Sequence, residues 1–355
     1  MRASEAMPGP VRAQRNSGSP ERGRGSLRSL TQRTAFWVAL VDLALILIFG
    51  FWSENHVFLT VENFRGMALD GSELALLAIG SAFLLGAGRF DISLGANVIL
   101  SSVVGARVLI WLSGGSALAV EGRFPHLTLG VIGSVLACLI VGTGIGIING
   151  VVVSGLGINT FVATLGMLGV ATGVAGLISG GTDISNLPTG IQEKFGTNQI
   201  FGIPEPVLIT FCLLLILWFV LARRRFGLRT LAIGSSRDAA LRAGIPVIRH
   251  EIKLFALAGF LAGVAAFIDL TRFDTTNIGG HQTDALAAIA AAVIGGASLE
   301  GGRASVIGAA IGTALAVILQ VGLIIVGFSA FYQVIAIGVI LVTAVYIDQR
   351  RRRLP

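Results

Sequence analysis

Few residues in this chain stand where they could do chemistry. Lys194 and Lys253 are its only lysines. A phosphate-cradling loop needs glycines followed by Lys-Ser or Lys-Thr, so that backbone N–H groups and an ammonium surround the anion. Lys194 precedes Phe195 and Lys253 precedes Leu254, so neither completes such a loop. His56, His126, His250 and His281 show no metal-ligand spacing and read as loop or helix-end residues. Cys138 and Cys212 lie inside apolar runs, where small packing residues are expected rather than a disulfide. No His, Asp or Ser cluster has catalytic spacing, which speaks against a membrane-embedded enzyme. The expectation is no catalytic residue, no metal and no cofactor.

The elements that must hold the remaining polar groups are apolar. Of 355 residues, 54% are hydrophobic and 13% charged, where a soluble domain carries about a quarter charged residues. That is too little charge to coat a globule of this size, which disfavours a soluble α/β protein with buried strands. Roughly 20 apolar residues cross a bilayer. Runs of that kind fall near 34–53, 72–88, 92–112, 128–152, 159–180, 205–222, 252–270, 284–298, 304–327 and 330–347. The expected fold is all-α, a polytopic integral membrane protein of about ten transmembrane helices. The second, third and eighth runs are short or glycine-rich and could hold broken or re-entrant pieces. Trp37, Trp52, Trp111 and Trp218 sit near predicted ends, as an aromatic belt would place them.

The formal net charge of +7 comes almost wholly from arginine. The arginines cluster in polar connections, which marks them as topology signals facing lipid rather than a nucleic-acid surface. Residues 1–33 read as a basic disordered tail by composition. A cleaved signal peptide fits poorly there, because the first apolar run starts late and is long enough to span. An organelle-targeting segment is the weaker alternative. The bias predicts both termini inside, with the 223–251 loop and Arg350–Arg353 also inside and 53–72 outside. The resulting division is tail 1–33, membrane domain 34–347 and basic tail 348–355.

Ion-coupled carriers hold ionisable residues within their spans. Here the mid-span regions look nearly empty of charge, and Asp42 lies near the inner end of its run. That leaves a channel, or a transporter driven by a separate subunit. In the long 223–251 connection, Ser236 can cap a short helix running through Ala243, and Gly244 can close it in a left-handed turn. Ala239, Ala240 and Ala243 would then form a small-residue face for a partner, although an ordinary amphipathic connector reads equally well. Two glycine-rich turns, near 86–95 and 295–302, are loosely alike, as in duplicated transporter halves.

At these blocks the chain resembles the permease subunit of bacterial ATP-binding cassette (ABC) importers of the ribose/xylose/galactose type, and more distantly branched-chain amino-acid permeases. Gly88 to Gly95 is similar to a G-G-[IL]-D-L-S-V-G turn. Asn149-Gly150 followed by Thr160 to Gly166 resembles N-G…P-F-[IV]-A-T-L-G. Residues 226–245 resemble A-x-G-x-N-x-x-A-A-x-x-x-G-I, and Ile289 to Arg303 resemble A-I-A-A-V-V-I-G-G-x-S-L-x-G-G. Together they cover about 66–347. Departures are Arg89 for the second glycine, Ser236 for Asn, Ala287 for an acidic residue with Asp284 one turn earlier, and Glu300 and Ala304 in the last turn.

The resemblance implies a permease dimer, cytoplasmic ATPase subunits, and a periplasmic or lipid-anchored solute-binding protein at a bacterial plasma membrane. It implies that Gly234, Ser236, Ala239, Ala240, Ala243, Gly244 and Ile245 form the coupling segment seated in the ATPase. Asp91 and Ser93 either cap the following helix or belong to an inner gate. Asn97, Asn149, Asn159, Thr160 and Thr164 are read as interhelical hydrogen-bonding groups, some of which would line a sugar pathway. Gln320, alone in an apolar helix, is the best pathway candidate on physical grounds. Arg272, Asp274 and Asn277 are either docking residues for the binding protein or a solvated helix end.

Overall fold

A computed structural model describes residues 34–329, except 186 and 189, and scattered residues between 331 and 346. The basic tails and most of the expected tenth span lie outside the described residues. The helices are α1 (Thr34–Trp52), α2 (Val61–Gly86), α3 (Leu94–Ser113), α4 (Ser116–Val120), α5 (Leu127–Gly150), α6 (Thr160–Ser179), α7 (Glu205–Arg223), α8 (Arg225–Ser235), α9 (Arg237–Arg242), α10 (Val247–Phe273), α11 (Asp284–Ile294) and α12 (Val306–Ile325). A π turn, Val151–Gly155, prolongs α5. One two-stranded hairpin, β1 (Gln199–Ile200) with β2 (Ile203–Pro204), precedes α7. Among the described residues eight helices, namely α1, α2, α3, α5, α6, α7, α10 and α12, are long and apolar enough to cross a membrane. The all-α polytopic architecture is therefore present.

Three boundaries differ from expectation, each for a physical reason. Helix α2 begins at Val61, where the Thr60 side chain accepts from the Asn63 N–H. Glu62 and Asp70, expected in an outer loop, ride on it. Helix α10 runs from Val247 to Phe273 because charged residues at both its ends find partners inside the protein. Helix α11 has only 11 residues, about 16 Å of helix against roughly 30 Å of hydrocarbon. It is a half-length piece, as its short run suggested.

Helix α10 is the centre of the bundle. It packs on α5, α2 and α3, with Leu254, Phe255, Leu261, Ala262 and Ala266 fully enclosed. The α5–α10 crossing is made by glycines. A Cβ on Gly142 would stand 2.5 Å from the Gly259 carbonyl oxygen, and one on Gly150 would stand 2.8 Å from the Ile252 Cα. Gly146 faces the Phe255 carbonyl in the same way. Lipid offers no hydrophobic push between helices, so close backbone contact is what holds such a pair.

A coupling face and two buried charge clusters

The segment expected to couple to an ATPase has the local form its residues dictate. Ser236 has extended backbone angles, and its Oγ accepts from the Ala239 N–H at 3.3 Å, capping α9. Gly244 closes the helix with φ +74, and the Ile245 N–H reaches back to the Ala240 carbonyl at 3.0 Å. The seven residues assigned to this segment do not share a face, however. Ser236, Ala239, Ala243 and Gly244 are exposed, whereas Ala240 is buried and Ile245 packs on the core. Gly234 is wedged where a Cβ would strike the carbonyl of Gly86 and the nitrogen of Gly302. The outward surface of α9 also presents Leu241, 47% exposed, which sequence reasoning missed.

Gly234 marks the meeting of the two glycine-rich turns. The Gly302 N–H donates to the Gly86 carbonyl at 3.0 Å. A Cβ on Gly88 would lie 3.2 Å from the Glu300 carbonyl oxygen, at a residue whose φ of +72 already favours glycine. Both turns therefore lie directly beneath the coupling segment.

The first turn carries a buried polar knot. Ser93 donates from its N–H (2.8 Å) and its Oγ (2.6 Å) to Asp91 Oδ1. Asn149 Nδ2, from the end of α5, donates to Asp91 Oδ2 at 3.0 Å and to Ser93 Oγ at 2.8 Å. All three residues are at most 1% exposed. Burial pushes the Asp91 carboxyl above the ordinary carboxylate range, against the hydrogen bonds from Ser93 and Asn149 that lower it. Asp91 thus caps its own turn rather than the first turn of α3, for which Ser93 makes no side-chain cap bond.

Arg89, the departure from the family glycine, has a partner that sequence reasoning missed. Its Nε and Nη2 donate to the two oxygens of Glu251 at 3.2 and 3.4 Å, and its Nη1 donates to Thr160 Oγ1 at 3.2 Å. Glu251, on the first turns of α10, is 1% exposed and lies 3.6 Å from Arg237 Nε at the start of α9. A buried carboxylate persists only when paired, and the guanidinium fork does this bidentately. A cleft of about 530 Å³ opens beside the group, lined by Arg89, Arg237, Asn159 and Thr160 among others. Asn97 and Thr164 are placed elsewhere: Asn97 bonds the Gly142 carbonyl (3.0 Å) and Ser101, and Thr164 bonds the carbonyl of Thr160. Asn159 caps α6 through the Phe161 N–H at 2.9 Å.

A second cluster lies toward the other end of α10, and it corrects the expectation that the spans carry almost no charge. Arg272 binds Asp70 and, at 3.3 Å, Glu73, both on α2. Its guanidinium is thereby turned inward, with 14% of the side chain exposed, which removes it as a free docking cation. Asp274, also placed at a docking surface, is left-handed at φ +50, and its Oδ1 is buried without a hydrogen-bond partner. Burial raises its carboxyl to about 6. Asn277 is exposed. His281, read as an ordinary loop residue, is buried at 7% exposure. Its Nδ1 is 2.7 Å from Asp284, and its Nε2 is 3.3 Å from Asp269 without hydrogen-bond alignment. Burial works to lower its pKa, but the two carboxylates outweigh it and hold the imidazole protonated, at about 11. Asp284 thus takes an ion-pair role beside Ala287, which is simply buried core. Gln320 is half-buried and makes no hydrogen bond among the described residues.

An all-α bundle of long apolar helices, with a glycine-mediated crossing and buried ion pairs, defines a polytopic membrane protein. The chain belongs to the family of branched-chain amino acid transport system permease components, whose pattern matches residues 63–345. It is 34% identical to the ribose import permease protein of Bacillus subtilis over 81% of this chain and 83% of that one. It is 30% identical to the L-arabinose ABC transporter permease protein of Azospirillum brasilense over 96% of each. With the galactose/methyl galactoside import permease protein of Haemophilus influenzae it shares 29% identity over 90% of this chain and 94% of the other. No solved structure matches the chain. The resemblance carried by the four glycine-rich blocks thus holds. The chain is the membrane-spanning subunit of an ABC importer and a multi-pass protein of the bacterial inner membrane; its relatives are transport permeases rather than enzymes.

Proposed function

We propose that this chain forms the translocation pathway for a monosaccharide or closely related polyol, driven by a separate ATPase that seats α9. What supports the solute class is the agreement among relatives aligned along most of the chain, each named for transport of a sugar: arabinose, ribose, allose or galactose. In this reading both termini and α8–α9 face the cytoplasm, a solute-binding protein delivers substrate on the opposite side, and a second copy completes the pathway. The test is reconstitution in proteoliposomes with the cognate ATPase and binding protein, followed by uptake of labelled pentoses, hexoses and leucine. ATP-dependent uptake of a sugar supports the proposal. Uptake of leucine alone would place the chain with the amino-acid branch named by its family. The half-buried Glu73 and the buried Asp269 and His281 favour one second reading, ion coupling. Uptake that needs no ATP and is abolished by a protonophore would establish that reading instead.

A further inference from the structure

We propose that Arg89, Glu251 and Arg237 form a mechanical link that carries movement of the docked coupling helix to the turn holding Asp91, Ser93 and Asn149. The proposal rests on the reading that α9 seats the ATPase.

The geometry makes Glu251 a hub. It stands on the first turns of α10, and its two oxygens serve two pieces of chain, the start of α9 and the turn after α2, with α6 joined through Arg89. Arg237 is the first residue of α9, and its Nε lies 3.6 Å from Glu251 Oε1. Arg89 precedes Asp91 by two residues in the turn between α2 and α3 and grips both oxygens of Glu251. The remaining nitrogen of Arg89 holds Thr160, the first residue of α6. A displacement of α9 therefore changes the charge around a carboxylate that is 1% exposed and has no solvent to replace a lost partner. Arg89 must then shift to compensate, and it is covalently close to Asp91 and bonded to α6. The contacts are unequal in the sense such a link needs. The Arg89 contact is a bidentate hydrogen bond, whereas Arg237 makes a single ion-pair contact at 3.6 Å with its side chain 45% exposed, so Arg237 is the one free to let go. The adjoining cleft of about 530 Å³, lined by both arginines, gives them room to move. A glycine at position 89, as in the motif this turn resembles, could make none of these bonds. The link belongs to this chain rather than to the motif. Arg89 and Glu251 are positioning residues in this account, because neither is placed on the transported solute.

The test uses the reconstituted complex of full-length chain, ATPase and binding protein, and reads solute transported per ATP hydrolysed. Arg89→Gly should keep the ATPase through purification yet lower that ratio at least about fivefold, the lower end of typical coupling between sites. Exchanging all three charges together (Arg89→Glu, Glu251→Arg, Arg237→Glu) should recover the ratio, because the hub is rebuilt with reversed sign. Arg89→Gln, which keeps the volume, replaces the glycine variant should that one fail to assemble. A ratio unchanged in the assembled Arg89 variant overturns the link, as does uptake that falls only in proportion to the amount of complex. Docking is read separately by co-purification. If the parent chain retains no ATPase, the docking reading falls and takes the link with it. An uncoupled Arg89 variant that still holds its ATPase is the result the link requires.

Discussion

Gln320 and His281 show how differently single residues can be read. Gln320 is flanked by apolar neighbours and makes no hydrogen bond among the described residues. A buried amide left unpaired costs about 1–3 kcal/mol; this one is half-buried with no side-chain partner among the described residues, so a partner helix or a wet pathway beside it would satisfy it. Gln320→Leu should lower uptake severalfold without lowering the amount of complex. Gln320→Cys, in a background with Cys138 and Cys212 replaced, should react with a hydrophilic thiol reagent at a rate that solute changes. Normal uptake with an inert thiol would leave Gln320 as interhelical glue. His281, in the connection before α11, makes a pH prediction. Its folded pKa is raised, so its contribution is fully present below about 6.5, the ordinary histidine value, and is lost as pH rises through about 11. Melting temperature of the purified complex should therefore fall as pH rises from 7 to 10. His281→Gln should be less stable at pH 7 and should flatten that slope. An identical slope in the variant would mean other groups carry it. The Ser236 cap was legible because its partner is three residues away. Glu251 and His281 were not, because what fixes them comes from distant helices, and Arg89 is 162 residues from Glu251.

At the scale of elements, α9 and the α5–α10 crossing carry the clearest consequences. On α9 Ala239, Leu241 and Ala243 are exposed and only Ala240 is buried, so Leu241→Asp should abolish ATPase co-purification while the chain still reaches the membrane. Ala240→Asp, by contrast, places a carboxylate where the side chain is 4% exposed, and should lower the yield of folded protein itself. Equal behaviour of the two variants would contradict the facing of the helix. Gly146→Val should be worse than either, because the added atoms meet the backbone carbonyl of Phe255 on α10, which cannot move aside as a side chain could. Folded protein after detergent extraction should fall to near zero, and a normal size-exclusion profile would refute the crossing. Hydropathy located these helices but misjudged the ends of α2 and α10. It counts Asp70, Glu73, Glu251 and Arg272 as costs to burial, whereas in the fold Arg272 pairs with Asp70 and Glu73, and Glu251 pairs with Arg89. The glycine spacing of 142, 146 and 150 was visible in the sequence as spacing. Which helix would fill that groove was not.

For the whole molecule, the arginine bias predicts that reporter fusions at Arg33 and after Arg353 both report the cytoplasm. Opposite results would require an odd number of spans. Fold class and the short capped helix α9 were legible because both are written locally, in hydropathy runs and in a cap. The buried clusters were not, because they exist only once α2 and α10 lie side by side. The central place of α10 also sets a schedule for biogenesis. During synthesis α5 is complete at Gly150, but its groove has no occupant until Gly263 has left the ribosome. At roughly 5–20 residues per second, that interval is about 6–23 s. For that time α2, α3 and α5 stand in the bilayer without their central helix, and Glu73 waits beside an empty place for the arginine that will neutralise it. The early half of the chain is therefore the part most dependent on insertion machinery to hold it, and most open to quality-control proteolysis whenever translation stalls before α10 emerges.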